Sequence, residues 1–267
     1  MKKPNRYQSL IAHIFAKGYK KGKTVVPFSR DELIETASLL EIAVPKNIGD
    51  VLYSFRYRNP LPDEILATQP KGMEWVIEGS GRAEYEFRLV PINRIAPNDN
   101  LITIKIPDAT PEIVACNSLS DEQALLAKVR YNRLIDIFLG VTAYSLQNHL
   151  RTTVKGLGQI EIDEVYLGVD RMGCQYVIPV QAKGGSDQLS TVQAKQDIAC
   201  CAEKFPNLVC RAISAQFIDD SRIAMFELQL DETGLVRTAE ERHYRLVSAD
   251  QISESDMAGY RQRAQKM

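Results

Sequence analysis

Several features are scarce in this 267-residue chain, and each scarcity removes a class of protein. The five cysteines (Cys116, Cys174, Cys200, Cys201 and Cys210) are odd in number and show neither a CxxC pair nor a Cys/His zinc spacing. They read as reduced, mostly buried thiols of a cytoplasmic protein, not as a disulfide framework or a zinc site. No apolar run approaches the roughly 20 residues that span a bilayer. The basic N-terminus lacks a signal-peptide core, because Tyr7 to Tyr19 is amphipathic and interrupted. Overall basic excess is missing too: the formal net charge is −1.

What remains has an ordinary globular composition, 45% hydrophobic and 25% charged. The length suits one large domain or two modest ones. Charge is unevenly spread. Up to Pro60 there are eleven basic residues (Lys2, Lys3, Arg6, Lys17, Lys20, Lys21, Lys23, Arg30, Lys46, Arg56, Arg58) against five acids (Asp31, Glu32, Glu35, Glu41, Asp50), an excess of six. Such asymmetry permits an N-terminal module that binds nucleic acid, and a solvated basic surface is the plainer alternative.

Three helical patterns open the chain. Leu10, Ile11, Ile14 and Phe15 recur at helical spacing. Ser29-Arg30-Asp31-Glu32 is a capping-box start that leads into Leu33, Ile34, Ala37 and Leu40. Pro45-Lys46-Asn47 opens a third helix with Ile48, Val51, Leu52 and Phe55 inward and Asn47, Asp50, Ser54, Tyr57 and Arg58 outward. Short strands near Met73–Glu78 and Tyr85–Val90 follow, with a flexible tip at Glu78-Gly79-Ser80-Gly81-Arg82 between them. This order resembles a winged helix-turn-helix, which implies a third helix placed in the DNA major groove. Lys46, Asn47, Tyr57 and Arg58 are then the candidate DNA contacts of that helix, and Lys20, Lys21 and Lys23 natural phosphate contacts on a Gly-containing loop.

After a linker at Asn93–Asn100 come a strand at Leu101–Ile106 and a predicted helix from Asp121 to about Arg151, broken at Gly140. The second half reads strand (Gln159–Gly168), strand (Cys174–Lys183), helix (about Leu189–Lys204), strand (Leu208–Ile218). Asp170-Arg171-Met172-Gly173-Cys174 is a three-residue hairpin loop with glycine where φ must be positive. Pairing Asp170 with Cys174 sets Asp163 opposite Gln181 and Glu161 opposite Lys183, all on one face. Glu164 points to the other, apolar face, unless a bulge exchanges it with Asp163. Both strands are apolar on both faces, as in a sheet interior, where clustered charge is costly unless it serves something. Acids, an amide and a lysine at one spot suit Mg2+, which prefers one or two carboxylates and keeps several waters. Asp163 is the first metal ligand, with Glu161, Gln181 and the Ala182 backbone carbonyl as further oxygens. Lys183 holds or deprotonates the attacking water. A cross-strand ion pair with a hydrogen-bonded neighbour is the competing structural reading. His149, read as helical, is a lesser candidate for a general base.

The acidic strand followed by one ending Gln181-Ala182-Lys183-Gly184-Gly185 resembles the PD-(D/E)xK nuclease superfamily. Most members carry Asp or Glu where this chain has Gln181; the Mrr-type branch of restriction enzymes uses Gln-x-Lys. The resemblance covers about residues 121–218 and is nearest to type II restriction endonucleases. It implies Asp163, Gln181 and Lys183 as the catalytic set, and Gln193 resembles a glutamine found on the following helix of the Mrr-like branch. It also implies Mg2+ (or Mn2+) as cofactor, double-stranded DNA as substrate, a homodimer, and a cognate methyltransferase in the same system. The expected fold class is α/β (α+β): a restriction-endonuclease-like αββαβ core with a mixed central sheet over 96–267, preceded by a small winged-helix domain over 1–95. A DNA-binding regulator with an inert nuclease-like domain, or a repair or modification-dependent nuclease, are the rival expectations.

Overall fold

The computed structural model describes residues 6–43, 48–57, 59–92, 95–117, 121–184, 191–219, 221–232 and 234–265, without the side chains of Asp50, Tyr53 and Tyr57. The chain divides into two compact units, Met1–Asn93 with Thr153–Ile160, and Arg94–Thr152 with Glu161–Met267.

The first unit runs α1 (Arg6–Gly18), β1 (Val25–Ser29), α2 (Arg30–Leu39), α3 (Gly49–Tyr57), α4 (Asp63–Leu66), β2 (Met73–Gly81) and β3 (Glu84–Pro91). Helical spacing buries Leu10, Ile11, Ile14 and Phe15 of α1. Phe15 packs edge-on against Trp75 and Phe87, with ring centroids 5.0 and 5.1 Å away. The capping box forms as its sequence dictates: Ser29 Oγ accepts from the Glu32 amide at 3.1 Å, and Glu32 Oε2 accepts from the Ser29 amide at 2.9 Å. Ile48, Val51, Leu52 and Phe55 are buried, as the periodicity of α3 requires. The three strands form an antiparallel sheet in the order β1-β3-β2. Strand β1 is an addition to the sequence reading; its Pro27 is tolerated because, among the described residues, β1 is an edge that pairs with β3 alone. The β2–β3 turn falls at the C-terminal end of the expected tip. Pairing continues through a bulge at Gly79/Gly81, and the chain reverses at Arg82–Ala83, with Ala83 at φ 59°. Gly79 lies so close to the Leu157 carbonyl that any Cβ would overlap it.

The rest of the chain builds β4 (Thr103–Pro107), α5 (Glu112–Ala115), α6 (Glu122–Tyr131), α7 (Leu134–Leu139), β5 (Thr142–Val154), β6 (Gly158–Val169), β7 (Gln175–Lys183), α8 (Thr191–Lys204), β8 (Val209–Cys210), β9 (Ala212–Phe217), β10 (Arg222–Leu230), β11 (Val236–Val247) and α9 (Glu254–Ala264). The sheet order is β4-β11-β10-β9-β7-β6-β5, with β8 beside β7. It is mixed: β7 runs parallel to β9 and β4 to β11, while β6–β7, β9–β10 and β10–β11 are antiparallel. Helices α6 and α7 pack Leu125, Val129, Ile135 and Phe138 on the face formed by Tyr166, Ile178, Val180 and Ala182. On the other face, Ala194 of α8 meets Ala212, Ala224 and Phe226. The fold is therefore mixed α+β, with a central sheet covered on both sides.

One expectation fails here. The helix predicted from Asp121 to Arg151 stops at Gly140 (φ 66°), and Thr142 onward is strand β5 at the sheet's edge. The left-handed Gly140 cannot continue a helix, and the Thr- and Tyr-containing segment beyond it prefers extended backbone. His149 therefore belongs to a strand, with φ 49°.

Candidate functional site

The β6–β7 hairpin has the register dictated by its loop. Gly173 adopts φ 83°, Asp170 and Cys174 share a backbone bond of 3.1 Å, and pairing runs from Val169↔Gln175 to Glu164↔Val180. There the ladder ends. Beyond it, side chains take over the backbone groups that the strands no longer exchange. The Ala182 amide donates to Asp163 Oδ2 at 2.8 Å, and Gln181 Nε2 donates to the Glu161 carbonyl at 3.2 Å. Asp163 and Gln181, and Glu161 and Lys183, are thus not ladder partners as expected, because the strands diverge just after the Glu164↔Val180 pair. The fork nonetheless brings Asp163, Gln181 and Lys183 together.

Two residues from other elements complete the cluster. Glu122, at the start of α6, accepts from Lys183 Nζ at 3.1 Å. That ion pair keeps the Lys183 side chain only 13% exposed. Asp197, on the inner face of α8, accepts a second bond from Gln181 Nε2 at 3.0 Å and is 3% exposed. Glu161 turns toward β5, where Arg151 Nε lies 3.2 Å and His149 Nδ1 3.5 Å from its carboxylate. The expected approach of Glu161 to Lys183 is replaced by these contacts, since each charge has found a nearer partner.

Burial pushes the Asp163 carboxyl above its ordinary range; the Ala182 hydrogen bond and Lys183 oppose this, and Glu122 and Glu161 add to it. Burial raises Asp197 much further, against the bond from Gln181 and with a contribution from Asp163. Glu164 lies on the opposite face and is fully buried. Its Oε1 accepts from Arg130 Nε at 3.0 Å and Ser145 Oγ at 2.6 Å. It is a structural acid, so between the two alternatives for a second carboxylate Glu161 is the one on the face of Asp163.

Both hydrogens of the Gln181 amide are engaged, and its Oε1 is buried without a donor; so is the hydroxyl of Ser214, which pairs with Gln181 across β7 and β9. An acceptor sealed in this way is costly unless something electropositive meets it. Among the described residues no group of three or more His, Cys, Asp or Glu converges to hold a metal, so a closed cage of the zinc type is not formed there. Asp163 and the Gln181 amide carry the oxygens of the fork that could face a hard cation of the Mg2+ kind, and Oε1 is closed to solvent in this structure. Ala182 contributes its amide to the site.

Lys20, Lys21 and Lys23 are exposed on the turn between α1 and β1, where Lys23 Nζ donates to the Gly18 carbonyl at 2.9 Å. Gln193 is half-buried on α8, one turn before Asp197. Lys46, Asn47, Arg58 and the Tyr57 side chain lie outside the described residues. Sequence reasoning missed Glu122 and Asp197. The signal for Asp197 is an acid four residues before Cys201, on the helix face that also buries Ala194 and Cys200. For Glu122, a solvent-like position in a capping turn gives none. Comparison of the chain with protein-family models, curated proteins and solved structures finds no match in any of the three.

Proposed function

We propose that this protein is a Mg2+-dependent DNA endonuclease of the type II restriction kind, with a PD-(D/E)xK-like site at the β6–β7 fork. The observation that carries the reading is the fork itself: a half-buried carboxylate, a donor-free amide oxygen and a lysine meet where two interior strands separate. The order α6, α7, β5, β6, β7, α8, β8, β9 keeps the expected hairpin, helix and returning strand, with β9 parallel to β7, but carries one more long strand, β5, ahead of the hairpin than the expected αββαβ core.

Phosphodiester hydrolysis needs an in-line water and compensation for charge that develops on the phosphate oxygens. Bound Mg2+ would supply Lewis acidity and an acidified water. Asp163 and Gln181 would hold it, with Glu161 on the same face as a further acid. Lys183 would release Glu122 to meet the phosphate or the attacking water, an exchange available because Glu122 is 38% exposed and can turn to solvent. For docking, α1, β1, α2, α3 and the β2–β3 hairpin follow the order of a winged helix-turn-helix, and the exposed lysine turn suits phosphate contact. One site cuts one strand, so a double-strand break calls for two copies of the chain on one duplex.

The second reading is a DNA-binding regulator with an inert fork, favoured by the neutral Gln181 where a carboxylate would strengthen the metal site. Incubation of plasmid and linear DNA with Mg2+ or Mn2+ separates the two. Wild type should cleave, and Lys183→Ala and Asp163→Asn should each lose about 100-fold or more in rate while still retaining DNA. Retention by wild type without scission in either metal leaves the regulator.

A further inference from the structure

A glutamine at a metal or substrate site can present either end of its amide, and the two ends have opposite polarity. At this fork the choice is made by neighbours. The Glu161 carbonyl can only accept, so the nitrogen of Gln181 must face it. Asp197 accepts the other amide hydrogen from a different direction, across from α8. Together they clamp Nε2 between two acceptors and leave Oε1 as the buried end without a donor. The Asp197 side chain is committed to this contact, and it occupies a helix face otherwise given to Ala194, Cys200 and Cys201. A buried acid costs stability in such a place unless it does something a methyl group cannot.

We propose that Asp197 is a positioning residue, which fixes the Gln181 amide so that the fork presents an oxygen and not an NH2 group. It acts through Gln181 and touches neither metal nor phosphate. Two acceptors on one nitrogen hold the amide more firmly than the Glu161 carbonyl alone, which a small rotation about the last side-chain torsion would release. This explains how a neutral side chain can stand where a carboxylate would need no such help: a carboxylate presents oxygen in either orientation, a glutamine only in one. The significance for catalysis rests on the nuclease reading; the orientation of the amide does not.

The test therefore begins without metal or DNA. In 1H–15N spectra the Gln181 side-chain NH2 pair, assigned by its disappearance in Gln181→Leu, should exchange slowly with solvent in wild type. In Asp197→Leu, close to isosteric and lacking the acceptor, exchange should quicken about fivefold or more. Asp197→Asn, which keeps an acceptor oxygen, should restore slow exchange. Mg2+ titration followed by the same resonances should show a midpoint raised about 10- to 100-fold in Asp197→Leu and largely restored in Asp197→Asn. Unchanged Gln181 exchange in Asp197→Leu overturns the proposal. Equal weakening by Leu and Asn also overturns it, since Asp197 would then act by its charge. If exchange responds as expected but wild type shows no Mg2+ shift and cuts no DNA, positioning stands and the nuclease reading falls. Thermal unfolding of both variants identifies any loss that comes from misfolding.

Discussion

Asp163 and Glu164 are adjacent in sequence and lie on opposite faces of β6, and their carboxylates are held by different means. Asp163 receives one backbone amide at the fork. Glu164 is sealed under α6 and meets a guanidinium and a hydroxyl: Arg130 Nη2 stands 2.9 Å from its Oε1, beside Ser145 Oγ at 2.6 Å. Glu164 thus has Oε1 met by Arg130 and Ser145 while its Oε2 is buried without a partner, and Asp163 has one oxygen on the Ala182 amide. The difference can be tested at Arg130. Replacing it by Met strands a buried carboxylate, for which the penalty in a fully buried pair is about 3–5 kcal/mol. Arg130 is 39% exposed, so water already screens some of the interaction, and about 2–4 kcal/mol is the expected loss in urea unfolding. The double change Arg130→Met with Glu164→Leu should recover most of it, because removing both charges removes the desolvation cost as well. A single-variant loss below about 1 kcal/mol would show that Arg130 is not what makes burial of Glu164 tolerable.

Among the elements, the β6–β7 hairpin carries the site, and it is also the segment most legible in the sequence. A three-residue loop with glycine at its last position admits one register, and that register assigns every side chain to a face. Gly173→Ala should therefore cost about 1–2 kcal/mol in thermal or chemical unfolding. A Cβ at Gly173 meets nothing within 4 Å, so the penalty comes from the left-handed backbone alone, and Gly173→Asn should cost less. Equal losses for Ala and Asn would point to packing, against that account. Other elements are less legible for identifiable reasons. Leu146 and Leu150 lie four apart and imitate a helix face, which hides β5 behind the true helical signal of Leu125 to Phe138. Pro27 disguises β1. Glu122 lies 61 residues before Lys183, and no local pattern marks a meeting that only the packing of α6 against the end of β7 brings about. The strand separation at the fork is equally invisible, since it depends on side chains capturing backbone groups and not on propensity.

At the scale of the whole molecule, 33 basic and 34 acidic residues leave a net charge of −1, so the chain cannot draw in a polyanion by its overall field. On the proposed reading affinity for DNA comes from local contacts, and the exposed turn carrying Lys20, Lys21 and Lys23 is the most concentrated cationic feature among the described residues of the first unit. Each lysine that neutralises a phosphate releases condensed counterions and adds about 0.9 to the slope of log affinity against log salt. Changing all three to Ala should lower that slope by up to about 2.7 and weaken binding alike for any duplex sequence. Fluorescence anisotropy with a labelled duplex between about 50 and 200 mM salt, a range over which roughly 10³-fold effects are ordinary for many-contact binders, would resolve the difference. Because the lysine turn and the β6–β7 fork belong to different units, the triple variant should cut at wild-type rate once DNA is saturating, and its defect should vanish at low salt. A slope that stays the same takes the turn out of the interface, whereas a slope that falls together with the saturated rate would mean that docking and cutting are not separable functions of the two units.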